Sequence, residues 1–361
     1  MHLVDVIALR PIPAAGLIIE VTRRCPMSCD HCVTSSTMAV QEHSEVPALR
    51  LLESFSADDR PEVIALTGGE PLLRPHLVKA LAERAHRVGT KVHLLTGMFF
   101  ARSRAVPAPI DQALNSLDHV SVSLDAYHER EVPRAAVFAI LKQLIREGIQ
   151  VSCQTVAATA EDPYVVQLVD DVRTTFEDQV PILVSALHPV GRAADLPLQD
   201  GRPGHTSAQS DGLAPCTMAA WPVLCADGRV VACCNHKVVE GVDAPHLQLN
   251  QTAGEDWKTL RQRCQGDLAL QAIRSCGPNF LAQTLGRPQN GGYCDNCHSL
   301  GNPEPLADGL REVVRSPLMR MVEASVTQAK SAAGAQAFIR QHGVPEFASL
   351  VSLGYPEVAG A

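Results

Sequence analysis

The sequence predicts an α/β protein built on a parallel, barrel-like sheet of six strands with helices packed against its outer face. Over the first half of the chain, short apolar runs rich in β-branched residues alternate with segments of helical periodicity. Alternation of this kind gives parallel strands joined by covering helices. The six predicted strands comprise residues 16–21, 63–67, 91–95, 120–124, 151–156 and 182–187.

Two of the intervening segments have an apolar face at helical spacing. Residues 75–88 form the first segment, and the second ends just before Gly148. The two faces consist of Leu77, Val78, Leu81, Ala85 and Val88 in the first segment and of Val137, Ile140, Leu141, Leu144 and Ile145 in the second. Both segments are therefore predicted to be helices that cover the sheet.

The character of the sequence changes after Arg192. Residues 195–212 are rich in Asp, Pro, Gly and Ser, which predicts a linker or surface loop. Residues 216–297 contain eight of the 12 cysteines, and helical patterns follow near 310–322 and 326–341. We therefore expect a barrel over residues 1–195, a linker over 196–213, a cysteine-rich domain over 214–302 and a helical tail over 303–361.

Composition and charge exclude several classes of partner. The 361 residues carry a formal net charge of −8 and only 4% aromatic residues, which argues against a nucleic-acid groove or an anionic membrane as the partner. No apolar run reaches the length of a membrane span, and the first ten residues lack the pattern of a signal peptide. The sequence therefore predicts a cytoplasmic protein, whose cysteine clusters are better interpreted as metal ligands than as disulfides.

Three thiols lie within eight residues directly after the first predicted strand. They belong to Cys25, Cys29 and Cys32. An iron–sulfur cube is normally held by four thiolates, so three ligands leave one iron free to bind another molecule. A structural zinc site would need a fourth matched ligand. His31 is the local candidate, but a histidine between two ligands in so short a loop reaches back poorly to the same metal.

This Cys-x-x-x-Cys-x-x-Cys loop resembles the signature of the radical S-adenosylmethionine (SAM) superfamily. His31 stands just before the third cysteine, where that family commonly has an aromatic ring. A further segment after the second strand resembles the family's Gly-Gly-Glu-Pro segment, which binds the SAM amino group. It consists of Gly68, Gly69, Glu70 and Pro71.

Two more segments resemble SAM contacts of the family. Ser123 and Asp125 end the fourth strand, where the family contacts the ribose or carboxylate of SAM, and Arg192 lies in a Pro-x-Gly-Arg segment that the family places near the adenine. Taken singly, each has a structural explanation, since Glu70 can begin a helix, Asp125 can cap one, and Arg192 can be a solvated loop residue. The combination, with the loops following successive parallel strands, favours the resemblance.

The resemblance implies a specific chemistry. A SAM-binding 4Fe–4S cluster on the catalytic cysteines Cys25, Cys29 and Cys32 would take one electron from a flavodoxin- or ferredoxin-type donor. SAM would then be cleaved to methionine and a 5′-deoxyadenosyl radical, which abstracts hydrogen from a carbon of the substrate. The protein would bind the cofactor and the substrate, orient them for the reaction and exclude water.

A second set of cysteines has a longer spacing. Eleven residues separate Cys216 from a Gly-x-x-x-x-Cys turn that ends at Cys233. A further sixty residues, of which Cys234 is the first, separate Cys233 from the Cys-x-x-Cys pair of Cys294 and Cys297. An Asp-Gly pair in the turn is a strong hairpin signal, and a hairpin there would bring Cys216 near Cys233. Adjacent side chains of an extended segment point to opposite sides, so only one of Cys233 and Cys234 is expected to be a ligand, and the turn spacing favours Cys233.

This pattern resembles the twitch domain, the shortened form of the SPASM domain, in which four cysteines hold one auxiliary 4Fe–4S cluster. No cysteine follows Cys297, so a single auxiliary cluster is implied. With all four ligands supplied, it would serve as an electron conduit or acceptor, which suits a net oxidation. A zinc ribbon on the same cysteines stays open as an alternative. So does a further cluster on the remaining cysteines of this region, which are Cys225, Cys234, Cys264 and Cys276.

Together the resemblances imply a partial (β/α)6 TIM-like barrel with a small C-terminal α+β iron–sulfur domain. Enzymes of this architecture mostly modify ribosomally made peptides or oxidise small molecules. We expect a peptide or other natural product as substrate, with a separate leader-binding protein because only about fifteen residues precede Gly16. An alcohol or aminocyclitol dehydrogenase of twitch type is the second candidate. A non-catalytic iron–sulfur redox protein is the third, although it would have no use for Glu70.

The side chains expected to line the mouth of the barrel, where substrate would bind, are those of Tyr127, His128 and His93. Each of them could equally have a structural role.

Overall fold

The computed structural model describes residues 1–103, 105–196, 214–241, 244–287, 292–301 and 317–356. Its strands are β1 (Gly16–Thr22), β2 (Val63–Gly68), β3 (Lys91–Thr96), β4 (His119–Ser123), β5 (Gln150–Ala157), β6 (Ile182–Ala186), β7 (Val223–Leu224) and β8 (Val230–Val231). Its α-helices are α1 (Leu3–Ala8), α2 (Val46–Glu53), α3 (Pro75–Arg87), α4 (Ala108–Leu114), α5 (Ala126–Glu129), α6 (Arg134–Arg146), α7 (Pro163–Phe176), α8 (His236–Glu240), α9 (Trp257–Gly266), α10 (Leu268–Cys276), α11 (Pro278–Thr284), α12 (Tyr293–Ser299) and α13 (Pro317–His342).

The strands form one sheet in the order β6-β5-β4-β3-β2-β1-β7-β8. The first six pair in parallel with their neighbours, as the alternation of strands and helices predicts. All six predicted strands are present, and each bound lies within one residue of the prediction. The two predicted covering helices are α3 and α6. The fold class is therefore that of a partial α/β barrel.

The two faces of the parallel strands differ in chemistry. One face is completely buried and packs against the apolar sides of the helices, with Ile19, Leu66, Leu94 and Val122 as examples. Cys153 lies on this face too, fully buried, where it packs as a small apolar side chain. The opposite face includes side chains that remain partly exposed, namely Ala65, Thr67, Leu95, Ser123 and Gln154, together with the buried polar side chains of Glu20, His93 and Ser121. This second face is the concave interior of the barrel.

A hairpin attaches the cysteine-rich region directly to the barrel sheet. The predicted turn is confirmed, since Val223 pairs with Val231 in antiparallel orientation and Gly228 has a φ of +89°. Strand β7 also pairs in parallel with β1, with Ile18 opposite Val223. The hairpin therefore extends the barrel sheet beyond β1 instead of forming a sheet of its own. Most of the predicted linker, 197–213, lies outside the described residues.

The C-terminal tail differs from the prediction. Two helices were expected near 310–322 and 326–341, but the described part contains the single helix α13, which is interrupted at Gly334, where φ is +76°. The prediction was wrong about the position of the break, because a glycine with positive φ falls inside the second apolar pattern. Residues 302–316 lie outside the described part of the chain.

The two ends of the described chain pack together. Leu3 and Ile7 of α1 share an apolar cluster with Ile339 of α13 and with Val351. The His2 Nε2 atom lies 2.9 Å from the carbonyl oxygen of Leu353. Of the helices that the structure describes, none has the length and apolar character needed to cross a bilayer.

We predict that Gly16→Ala destabilises the protein, because Gly16 packs against the buried indole of Trp221. A Cβ atom at position 16 would lie 2.4 Å from three ring atoms, and the indole is fixed by a hydrogen bond from its Nε1 to the Leu9 carbonyl oxygen. The overpacking should lower the free energy of unfolding by about 1–3 kcal/mol, measured by urea denaturation. Gly266→Ala is the matched control, since a Cβ there meets no atom within 4 Å. Equal stability of the two variants would contradict this account.

Candidate functional site

The three cysteines of the first cluster lie on the loop that follows β1, at the carboxyl end of the parallel strands. Cys29 is buried, whereas Cys25 and Cys32 are partly exposed. Burial raises the pKa of Cys25 to about 12, with the nearby carboxylate of Glu70 adding to the effect. Burial of a thiol without a cation thus opposes the thiolate form, and bound metal would reverse that preference.

The Gly-Gly-Glu segment after β2 rests directly on the backbone that leads into Cys25. The Gly69 N–H donates to the Thr22 carbonyl oxygen at 2.7 Å, and the Glu70 N–H donates to the Arg24 carbonyl oxygen at 2.8 Å. A Cβ on Gly68 would lie 2.2 Å from the Thr22 oxygen, and one on Gly69 would lie 2.3 Å from the Arg24 oxygen. Only glycine permits this approach, so the pair joins the loops after β1 and β2 into one unit.

Glu70 is completely buried, and all its hydrogen-bond donors are neutral groups. Its carboxylate accepts from the Leu72 N–H at 2.9 Å, from the Thr96 hydroxyl at 2.8 Å and from the Gly97 N–H at 2.9 Å. Burial raises its pKa, although these hydrogen bonds favour the ionised form. Glu70 therefore caps the short 3-10 turn that begins at Pro71, as its structural explanation proposed.

Thr96 and Gly97 are contributions to the site that the sequence analysis missed. Both stand at the carboxyl end of β3, where the analysis singled out no residue. The sequence did contain a signal for them. Strand β3 lies between β2 and β4, whose ends were both assigned to the site, and it ends in a hydroxyl side chain followed by a glycine.

Asp125, which follows β4, connects two histidines to the helix start behind it. One carboxylate oxygen accepts from the N–H groups of Tyr127 and His128, and the other contacts His128 Nδ1 at 2.7 Å and His31 Nε2 at 3.3 Å. Burial opposes ionisation, but the hydrogen bonds from His128 and His31 hold the pKa of Asp125 below its usual value. The helix-cap explanation of Asp125 is confirmed.

Among the described residues, the ligand atoms of His31, Asp125 and His128 form the one group of three that lies within 4.8 Å. The carboxylate already accepts four hydrogen bonds, so its lone pairs are fully used without a metal ion. The His31 ring also stacks on Tyr127 at 4.7 Å between centroids. We interpret the group as the tie that holds the cysteine loop to the end of β4.

Two of the expected mouth residues, Tyr127 and His128, thus lie beside the cysteine loop. His93 does not, so that part of the expectation was wrong. It lies in the first half of β3, where it is buried and contacts the Ser121 hydroxyl at 2.7 Å. Burial lowers its pKa to about 4, which keeps it neutral inside the barrel. Ser123 stands at the end of β4 with its side chain partly exposed on the interior face.

Arg192 fastens the cysteine loop from the side of β6. Its Nε donates to the Cys29 carbonyl oxygen and its Nη1 to the Ser36 carbonyl oxygen, both at 2.8 Å. Its backbone N–H donates to the Cys32 carbonyl oxygen at 3.0 Å. The preceding Gly191 has a φ of +57°, and a Cβ there would lie 2.3 Å from the same Cys32 oxygen. The expected contact of this segment with the adenine of SAM stays a prediction, and the guanidinium of Arg192 binds the loop itself.

The four cysteines predicted for the second cluster interact with one another. Burial raises the pKa of Cys233 well above its ordinary value, and the thiolates of Cys234, Cys216 and Cys297 raise it further. Cys297 is affected in the same way by Cys216 and Cys294. The hairpin and helix α12 therefore bring together the residues that the spacing grouped. Cys234 is exposed and lies close to this group as well.

The remaining cysteines of the region do not form a second group. Cys225 lies buried in the hairpin beside Glu20, and Cys264 is buried with its thiol 3.4 Å from the Ala220 carbonyl oxygen. Burial is the cause of the raised pKa of Cys276, and no other thiol contributes to it. The alternative of a further cluster on these residues therefore has no support in their placement.

Both cysteine sets offer thiolates, which are ligands of iron–sulfur cubes and of structural zinc ions alike. The choice between an auxiliary cube and a zinc ribbon at the second set is therefore a question for metal analysis.

Comparison with known proteins gives consistent results. Residues 19–159 match the family described as the Radical SAM superfamily. The chain is 34% identical over 113 residues to PqqA peptide cyclase of Streptomyces rochei, which covers 30% of this chain and 29% of that protein. It is 33% identical over 172 residues to pre-heme d1 synthase of Dinoroseobacter shibae, which covers 45% of this chain and 42% of that protein. The matches thus span less than half the length of these curated relatives.

A solved structure supports the fold over more of the chain. SuiB of Streptococcus suis, bound to the precursor peptide SuiA, superposes with a TM-score of 0.52 at 13% sequence identity. The superposition covers 88% of this chain and 76% of that chain. At this identity the likeness concerns the fold.

We predict that Arg192→Met loosens the cysteine loop, because two carbonyl oxygens lose a charged donor, each contact being worth about 1.5–3 kcal/mol. In protein reconstituted with iron and sulfide, the peptide containing Cys29 should be alkylated several-fold faster than in the wild type, as measured by mass spectrometry. The peptide containing Cys294 provides the internal reference. Arg130→Met is the matched control, because Arg130 binds Asp30 of the same loop only through an exposed ion pair. Wild-type rates in Arg192→Met would refute the role.

Proposed function

Because residues 19–159 form a radical SAM domain, we propose that the protein is an enzyme that removes a hydrogen atom from a carbon of a peptide substrate. The three thiols of Cys25, Cys29 and Cys32 would hold the 4Fe–4S cluster of this domain. The observation that carries the proposal is the direct hydrogen bonding of the Gly-Gly-Glu segment to the backbone in front of Cys25. It makes one rigid unit of the two segments that the family uses for the cluster and for SAM.

When bound, the reduced cluster and SAM together supply the carbon radical that takes the hydrogen atom. The chain's own residues would hold and orient these groups. The thiol loop is fixed at its carbonyl oxygens by Arg192 and at His31 by Asp125, so its three sulfur atoms are preorganised. Two polar side chains contact the thiols. The Thr34 hydroxyl lies 3.6 Å from Cys32 Sγ, and the His128 imidazole, which Asp125 already binds, hydrogen-bonds to Cys29.

Glu70 would offer its carboxylate to the SAM amino group. The carboxylate is completely buried and accepts hydrogen bonds from neutral groups, so a cation beside it would offset the cost of burying its charge. The backbone of this contact would be supplied by Gly68, Gly69 and Pro71. Ser123 of the interior face would contact SAM farther along the strand ends. Arg192 would contribute indirectly, by holding the cysteine loop in place.

We further propose that Cys216, Cys233, Cys294 and Cys297 hold one auxiliary 4Fe–4S cluster, as in twitch domains. With four protein ligands it would exchange electrons without binding substrate. This role suits a reaction in which a substrate radical gives up an electron and the product is oxidised. A flavodoxin- or ferredoxin-type donor would supply electrons to the first cluster, and a separate protein would bind the leader of a peptide substrate.

The peptide substrate is supported by the similarity to a peptide cyclase, limited to 113 residues. The neutral polar side chains of the barrel interior, such as Thr67, Ser123 and Gln154, would suit peptide amide groups. The second candidate is oxidation of a small molecule, and the similarity to pre-heme d1 synthase keeps it open. Anaerobic incubation with a precursor peptide encoded beside the gene separates the two: a mass change of the peptide supports the first candidate.

The two cysteine sets should have separable roles. We predict that Cys25→Ala abolishes formation of 5′-deoxyadenosine from SAM with dithionite, because the first cluster loses a ligand. Cys294→Ala should retain part of this activity but form no product, because only the auxiliary cluster is lost. Liquid chromatography of both products measures the effects. Absence of 5′-deoxyadenosine in well-reconstituted wild-type protein would favour the non-catalytic redox protein instead.

Metal analysis provides an independent check. Two cubes predict about eight irons and about eight sulfides per chain. Cys294→Ala should retain about four. Wild-type protein with about four irons and one zinc would contradict the auxiliary cluster and support the zinc ribbon.

A further inference from the structure

Helix α13 of the tail places a lysine beside the second cysteine set. The Lys330 ammonium donates to the Pro215 carbonyl oxygen and to the Thr217 hydroxyl, both at 2.7 Å. These two groups flank Cys216 on either side. Thr217 itself is buried, so the ammonium reaches into the protein rather than into solvent.

The position of α13 is fixed independently of this lysine. Arg274, which is buried on α10, donates from its Nε to Glu323 of α13 at 2.6 Å. The Nη1 of Arg274 donates to the carbonyl oxygens of Ala219 and Cys264. Glu323 precedes Lys330 by seven residues. The helix is therefore docked on the cysteine-rich region about two turns before Lys330.

A second cation borders the same cysteines from the other end of the chain. Arg10 is buried, with its guanidinium 4.5 Å above the Trp221 ring, 3.1 Å from Met218 Sδ and 3.9 Å from Cys234 Sγ. In the described part of the chain, neither Lys330 nor Arg10 forms an ion pair with a carboxylate.

Arg10 is buried and Lys330 is partly buried, and an anion beside them would offset the cost of burying charge that no carboxylate pairs. A 4Fe–4S cluster with four thiolates carries a charge of about −2 when oxidised and about −3 when reduced. Positive charge beside it stabilises the reduced form more than the oxidised form.

We propose that Lys330 has two roles at the auxiliary cluster. It positions the backbone on both sides of the ligand Cys216, and its positive charge raises the reduction potential of the cluster. The inference rests on the proposed auxiliary cluster at Cys216, Cys233, Cys294 and Cys297. Its consequence for the reaction is that the cluster accepts an electron more readily. One electron lost by a substrate radical is then gained by the oxidised cluster, which leaves a closed-shell product after release of a proton.

The test is an anaerobic redox titration of the full holoenzyme at neutral pH, followed by electron paramagnetic resonance. The auxiliary signal is identified as the one that Cys294→Ala removes. Lys330→Met should shift its midpoint potential to more negative values, and Lys330→Arg, which keeps the charge, should restore it. The midpoint of the first cluster should not move in either variant.

Lys237→Met is the matched control. Lys237 lies near the same cysteines through its ion pair with Asp295, but both side chains are exposed. Solvent therefore screens the change in charge, and the midpoint should move far less than in Lys330→Met. Arg10→Gln gives a second measurement on a different element, with a shift of the same sign as that of Lys330→Met.

The outcomes are distinct. A midpoint that stays unchanged in Lys330→Met, with the auxiliary signal present, overturns the proposal. If Lys330→Met loses the auxiliary iron, retention of iron and midpoint by Lys330→Arg supports the requirement for charge, whereas loss of iron in both variants overturns it. Absence of an auxiliary signal in the wild-type protein would instead refute the auxiliary cluster, and with it the proposed function from which this inference starts.

Discussion

The backbone hydrogen bonds between the Gly-Gly-Glu segment and the residues in front of Cys25 are the constraint on which the site depends. They require two successive glycines, because a Cβ on Gly68 or Gly69 would lie only 2.2 or 2.3 Å from a carbonyl oxygen. The loops after β1 and β2 consequently cannot move apart without breaking them. The cysteine loop is therefore part of the sheet's end rather than a free surface loop.

The other strand ends add to this anchor. Thr96 and Gly97 after β3 hold the carboxylate of Glu70, Asp125 after β4 holds His31, and Arg192 after β6 holds two carbonyl oxygens of the loop. Each tie comes from a different strand, so the partial barrel itself determines the conformation of the thiol loop.

The second cysteine set is linked to the first by the same sheet. Strand β7 pairs with β1, the strand that leads into Cys25, so the hairpin and the thiol loop share one rigid element. Helix α13 and the start of the chain then pack around the cysteine-rich region and carry Lys330 and Arg10 to it. The tail thus contributes charge as well as apolar contacts.

The sequence by itself determined the six parallel strands and the hairpin turn, because each depends on local periodicity or spacing. It also grouped the cysteines into two sets, whose role as metal ligands stays a prediction. It left open whether Glu70, Asp125 and Arg192 contact a cofactor or the protein, and it misplaced His93 and the break in the tail helix. Only the tertiary structure decided that Arg192 reaches across from β6 to Cys29 and that Lys330 reaches Cys216, over 163 residues in the first case. The physical reason is that a side chain's partner depends on which strand ends and helices meet in space, and spacing along the chain does not encode that.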